Sequence, residues 1–185
     1  MRMGRKLAAM VAGLATMAAL VVVPATPAFA STYTTYVSIL NPPTPSGIGP
    51  VVIDIKDYSM ANGGAAQLWL WSTGNNQRWR ITQTTSLSAP FGQFTFQNVH
   101  SGKCLTAGPP SALGDNTVRQ YTCDSSASQK WRAVRVSTIN GNWVELVSVQ
   151  WNTCLDARGY GYGNGVVLQN YPCHGDWNQR FNPYF

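Results

Sequence analysis

One step recurs three times in this chain: a glutamine, any residue, then a large aromatic. Gln77-Arg78-Trp79, Gln129-Lys130-Trp131 and Gln179-Arg180-Phe181 place their aromatics 52 and 50 positions apart. The cysteines keep a second rhythm, since Cys104 to Cys123 spans 19 positions and so does Cys154 to Cys173. A fixed period near fifty is a strong constraint. Each unit must be one supersecondary piece that buries its apolar face against its copies. The simplest role for an aromatic that appears once per unit is packing in the shared core.

Each unit opens on an alternating or β-branched run (36–40, 94–99, 144–149) and continues in short apolar steps (51–55, 67–71, 118–121, 166–168). Each closes on the glutamine-aromatic step and another short strand. Turn pairs such as Asn62-Gly63, Ser101-Gly102, Asn140-Gly141 and Asn164-Gly165 separate these runs. No helical period of useful length appears, so the expectation is an all-β chain of about a dozen short strands in three similar units. A closed barrel with hairpins capping one end would leave no open sheet edge. The first unit is expected to carry an insertion of about five residues, in the Pro-rich loop at 42–50.

Residues 1–30 read as a leader. Arg2, Arg5 and Lys6 precede an apolar run, and Ala28-Phe29-Ala30 is a small-x-small cleavage site, the layout of a secretory signal peptide. The expectation is a secreted domain over 31–185, with repeats at about 34–84, 92–137 and 142–185. Without the leader's three cations the net charge of +6 falls to about +3, and no run of Lys or Arg remains. That pattern excludes a nucleic-acid groove, and no later stretch is apolar enough for membrane insertion. An even number of cysteines in an exported chain reads as disulfides, and the matched spacing favours Cys104–Cys123 and Cys154–Cys173. The first unit lacks both cysteines at once, with Val52 and Trp71 in their places. Neither this spacing nor the two histidines, His100 and His174, composes a metal site, and no cofactor motif is present.

The pattern Cys-Leu-Asp, Gln-x-aromatic-x-Cys, Asn-Gln-x-aromatic, three times in one chain, resembles the ricin-type β-trefoil lectins. That resemblance covers nearly all of the chain after the leader. It implies a β-trefoil with pseudo-repeats α, β and γ, each able to carry one shallow sugar pocket. In the third repeat the implied sugar-binding residues are Asp156, Gln169, Tyr171, Asn178 and Gln179. The first repeat keeps the same set at the same offsets: Asp54, Gln67, Trp69, Asn76 and Gln77. The second departs, with Thr106 for the acid, Arg119 for the first glutamine and Ser128 for the asparagine, so it is expected to be structural.

Those residue types suit a sugar. A carboxylate accepts hydroxyl protons in charge-assisted bonds, an aromatic lies under the C–H face, and an amide supplies donor and acceptor. Gln77 and Gln179 are expected to brace the pocket rather than touch the ligand. Family resemblance favours galactosides, then arabinogalactan or xylan, bound by a monomer. An enzyme is not expected: no Gly-x-Ser-x-Gly elbow exists, and a glycosidase needs two acids flanking one bond, whereas Asp54 and Asp156 sit in different repeats. The alternative is a β-trefoil protease inhibitor presenting the 42–50 loop.

Overall fold

The computed structural model describes residues 31–40, 49–85, 92–110, 114–136 and 142–183. The proposed leader and most of the 42–50 loop lie outside the described residues. Thirteen strands are described. The first repeat holds β1 (Thr32–Thr35), β2 (Ser38–Ile39), β3 (Val51–Ile55), β4 (Gly64–Leu70) and β5 (Trp79–Gln83). The second holds β6 (Gln93–Asn98), β7 (Cys104–Thr106), β8 (Arg119–Tyr121) and β9 (Trp131–Arg135). The third holds β10 (Val144–Ser148), β11 (Cys154–Ala157), β12 (Val166–Tyr171) and β13 (Phe181–Asn182). The helical segments described are single 3-10 turns.

The thirteenth strand is a split copy, because β1 and β2 together do the work of one opening strand. Thr35 faces Trp79 as Phe94 faces Trp131 and Val144 faces Phe181. Four residues on, Ile39 faces Phe181 as Asn98 faces Trp79 and Ser148 faces Trp131. The outer strands of the repeats thereby form a closed ring, β1/β2–β5–β6–β9–β10–β13 and back to β2. The hairpins β3–β4, β7–β8 and β11–β12 cap one end. This is the β-trefoil. The same ladder corrects the insertion in the first repeat. Ile39 to Val52 spans 13 positions where Asn98 to Cys104 and Ser148 to Cys154 span 6, so seven residues are added rather than about five.

Trp79, Trp131 and Phe181 are fully buried at the centre, over the equally buried Ile53, Leu105 and Leu155. Each indole also finds an acceptor: Trp79 Nε1 donates to the Ile53 carbonyl and Trp131 Nε1 to that of Leu105, both at 3.1 Å. Truncating either to alanine is expected to cost about 3–5 kcal/mol, from lost burial plus the cavity left behind. The glutamine of each step clamps the end of its own hairpin. Gln77, Gln129 and Gln179 donate to the carbonyls of Leu70, Thr122 and Pro172 (3.0, 2.9 and 3.0 Å). Their oxygens accept the amides of Ser72, Asp124 and His174 (2.8, 2.9 and 2.9 Å). A clamp present in all three repeats is architectural first.

Cys104–Cys123 and Cys154–Cys173 are disulfides, each with Cα atoms 5.1 Å apart. In the first repeat Val52 is fully buried, and Trp71 packs its ring on Tyr36 with centroids 4.6 Å apart. The Arg78 guanidinium lies 5.7 Å over the same indole. Aromatic stacking there ties the hairpin end that a covalent bridge ties elsewhere. Among the described residues no helix is long and apolar enough to cross a membrane.

Candidate functional site

In the first repeat, β3 and β4 pair Asp54 with Gln67 across the ladder. Gln67 Nε2 donates to Asp54 Oδ1 at 2.9 Å. The 3-10 turn before β5 brings Asn76 underneath, and its Nδ2 donates to Asp54 Oδ2 at 2.7 Å and to the Ile55 carbonyl at 3.2 Å. Asp54 is only 3% exposed, and burial pushes its carboxyl above the usual range. The nearby amides of Gln67, Gln77 and Asn76 oppose that rise, and the charge of Asp57 adds to it. Trp69 stands on the same hairpin, 39% exposed. These residues line a cleft of about 410 Å³ together with Lys56, Asp57, Tyr58, Ser72 and Gly165.

The third repeat rebuilds the arrangement. Gln169 Nε2 donates to Asp156 Oδ1 at 2.8 Å, and Asn178 Nδ2 to Asp156 Oδ2 at 2.9 Å and to the Ala157 carbonyl at 3.2 Å. Two further groups crowd the carboxylate: Gln179 Nε2 donates to Oδ2 at 2.9 Å, and His174 Nε2 lies 3.3 Å from it. Asp156, Gly159, Tyr160, Gln169, Tyr171, His174 and Asn178 line a cleft of about 500 Å³. A carboxylate oxygen has about two lone-pair directions. Asp54 therefore keeps acceptor capacity on both oxygens, whereas the free capacity of Asp156 is on Oδ1.

The asparagines play a narrower part than their chemistry allows. Both amide groups are spent on the carboxylate and a backbone carbonyl. Both Oδ1 atoms are buried with no hydrogen-bond partner among the described residues. Asn76 and Asn178 thus aim the acid and offer the cleft no acceptor.

Each cleft has a second aromatic that the motif does not contain. Tyr58 and Tyr160 each lie four positions after the acid and are 53% and 54% exposed. Both sit in the left-handed region, φ 51° and 56°, which bulky side chains seldom occupy. Neighbours hold them there. Gln120 Nε2 donates to the carbonyls of Ser59 (2.7 Å) and Ala61 (3.1 Å), fixing the turn after Tyr58. Tyr160 donates its hydroxyl to Asp176 at 2.7 Å and stacks on His174 with centroids 5.7 Å apart. The recurring offset from each acid is the signal that finds these tyrosines in the sequence.

The glycine turns serve the next repeat rather than their own. Asn62 Oδ1 accepts the Thr122 amide of the second repeat at 2.8 Å, and Asn164 Oδ1 accepts the Leu70 amide of the first at 2.7 Å. Gly165 thereby reaches the first-repeat cleft. In the second repeat the set is broken. Arg119 turns to Asp115 at 2.6 Å and the Gly63 carbonyl at 2.9 Å, and Gln129 Nε2 reaches Thr106 Oγ1 at 3.3 Å. Among the described residues no cluster of His, Cys, Asp and Glu is placed to hold a metal ion.

A threefold-repeated barrel with a hairpin cap, carrying an acid, two amides and an exposed aromatic in two clefts, defines a β-trefoil of the lectin type. The model described as "Ricin-type beta-trefoil lectin domain-like" matches residues 75–171, more than half of the chain, and the chain belongs to that family. Membership supports carbohydrate binding in general. No curated protein matches the chain in sequence. Among solved structures it is similar to ThreeFoil, a designed 3-fold symmetric protein (TM-score 0.63, 21% identity, covering 80% of this chain and 96% of that one). It is similar also to the Rhizoctonia solani agglutinin (TM-score 0.59, 19% identity, covering 85% and 97%). A third likeness is to an exo-beta-1,3-galactanase from Clostridium thermocellum (TM-score 0.63, 20% identity), of which it covers 29% while 80% of this chain is matched. At such identities these likenesses speak for the fold.

Proposed function

We propose that this protein is a secreted, monomeric lectin with two sugar pockets, one in the first repeat and one in the third. In this reading residues 1–30 are removed on export, and 31–185 form the domain. Asp54 and Asp156 accept sugar hydroxyls, Trp69 and Tyr171 lie under the sugar's C–H face, and Gln67, Asn76, Gln169 and Asn178 orient the acids. Gln77 and Gln179 hold the hairpin ends. The observation that carries the reading is the repetition: the same buried carboxylate, bonded to the same two amides beneath an exposed aromatic, lines a cleft twice. A turn acid with only a local capping role would have no reason to recur with that whole set.

Shallow clefts with a few polar contacts bind weakly, near millimolar, or about −4 kcal/mol. Two of them on one rigid body gain by multivalency on a polymer. The ligands expected are galactosides, with arabinogalactan and xylan-type polysaccharide behind them. The test is a glycan array and calorimetric titration with galactosides, arabinogalactan and xylan, on the native protein and on an Asp54→Ala/Asp156→Ala double variant. Binding by the native protein and none by a folded double variant is the expected result. Full binding by the double variant would displace the sites, and protease inhibition without glycan binding would replace the function.

A further inference from the structure

Behind the acid of each cleft stands a glutamine, and behind that glutamine stands a neighbouring repeat. The ladder pairs position 117 with Gln169, as it pairs Val167 with Gln67. Across the ladder the first-repeat glutamine therefore has apolar Val167, with Val166 next to it in the chain, while the third-repeat glutamine has polar Thr117, with Asn116 next to it and in reach of its amide. A second difference coincides with the first. Two positions after the acid, the first repeat has Lys56 and the third has Arg158.

Arg158 uses that place. Its Nε donates to Gln169 Oε1 at 2.9 Å, and its Nη2 donates to Asn116 Oδ1 at 3.0 Å and Thr117 Oγ1 at 3.3 Å. Asn116 Nδ2 closes the loop on Gln169 Oε1 at 3.3 Å and on the Asn170 carbonyl at 3.3 Å. Asn116, Thr117 and Gln169 are all buried. Two donors, one of them charged, converge on a single amide oxygen. That oxygen cannot turn toward Asp156, so the Gln169 NH2 group must, and it does so at 2.8 Å from Oδ1. In the first repeat the Lys56 side chain makes no hydrogen bond or ion pair among the described residues, its carbonyl alone accepting the Ser59 amide, and Gln67 Oε1 accepts none. The same amide is there without a lock.

We infer that Arg158, with Asn116 and Thr117 of the second repeat, is a positioning cluster for the acid of the third-repeat cleft. The second repeat, which has Thr106 in place of a cleft acid, thereby serves the site beside it. The consequence falls on Asp156 Oδ1, the oxygen with acceptor capacity left for a ligand hydroxyl. Its direction is fixed before the ligand arrives, through a chain of bonds that ends on a charged donor and is polarised by it.

The inference rests on the third cleft being a sugar site, and two measurements separate the two claims. In an Asp54→Asn background, where the third cleft alone remains, lactose and xylotriose are titrated against Arg158→Leu and against Asn116→Val/Thr117→Val, which installs the first cleft's valines. Third-cleft binding is expected to weaken about tenfold, the scale of one lost charged hydrogen bond. First-cleft binding, read in an Asp156→Asn background below the unfolding transition, is expected to hold. Unchanged third-cleft binding overturns the inference, as does equal loss at both clefts, which marks a merely structural role. If the Asp54→Asn protein binds neither sugar, it is the sugar reading of the third cleft that fails. Exchange of the Gln169 side-chain amide protons in the free protein then decides positioning by itself. It is expected to be slower than at Gln67 and to accelerate in both sets of variants. Exchange at Gln169 as fast as at Gln67 in the native protein overturns the inference without any ligand.

Discussion

The first and third clefts share a carboxylate, two amides and an aromatic, and they differ in what holds these in place. The third cleft hangs on a disulfide, a guanidinium cluster and a histidine that bridges Asp156 to Asp176, at 3.3 and 3.2 Å. The first hangs on Val52 packing, a Trp71–Tyr36 stack and a Gln67 with no lock behind it. The second repeat completes the comparison, since it keeps a disulfide and a clamping glutamine yet lacks the acid. Scaffold and pocket are thus separable within one fold. A bridge does not make a pocket, and a pocket does not need a bridge.

The sharpest way to break the comparison is to remove one acid at a time. Asp54→Ala is expected to abolish first-cleft binding and leave the third untouched, and Asp156→Ala to do the reverse. Each deletes charge-assisted bonds worth about 1.5–3 kcal/mol from a total near 4, as site-resolved NMR titration would show. Next in size is the bridge. Cys154→Ala/Cys173→Ala opens a loop of 19 positions and is expected to cost about 3 kcal/mol of stability in denaturant titration. Third-cleft affinity should persist below the transition, because the first cleft is built without a bridge. A smaller effect belongs to the platforms: exchanging them by Trp69→Tyr and Tyr171→Trp is expected to move affinity by about 0.5–1 kcal/mol in opposite directions.

The pH dependence of stability offers the finest contrast. Asp54 has a raised carboxyl, so its stabilising contribution is full at low pH and is lost as pH rises through the raised value. Asp115 has the opposite sign. Its bond from Arg119, helped by Thr117, holds it well below the usual range, so its contribution is present at neutral pH and lost as pH falls. Asp115 is largely exposed, so its effect is the smaller and is screened by salt. Urea unfolding across pH 3 to 7, with Asp54→Asn and Asp115→Asn beside the native protein, should flatten two slopes of opposite direction.

Much of this architecture is written in the spacing. The glutamine-aromatic steps give three repeats because those aromatics must meet at one centre, and the matched 19-position gaps give the bridges. Residues that act within their own hairpin, such as Asp54 with Gln67, are legible because the ladder fixes their offset. Other features are not. The length of the insertion is misread by two, since the ladder sets Ile39, which shares no identity with Asn98, in the place that Asn98 holds in the second repeat. The split of the opening strand escapes because Thr32–Thr35 is polar and its partner β5 lies more than forty residues away. Tyr58 and Tyr160 sit in turns, where either aromatic alone announces nothing and only their shared offset of four from the acids gives them away. The Asn116–Arg158–Gln169 cluster joins two repeats, and linear order does not tell which hairpin leans on which cleft.

The central claim is that one chain carries two independent pockets of one design. The number of monosaccharide molecules bound per chain tests it most directly, by calorimetric titration of the native protein and of the Asp54→Ala, Asp156→Ala and double variants. This account predicts two, one, one and none. A native stoichiometry of three, or a single-acid variant that still binds two, would contradict it.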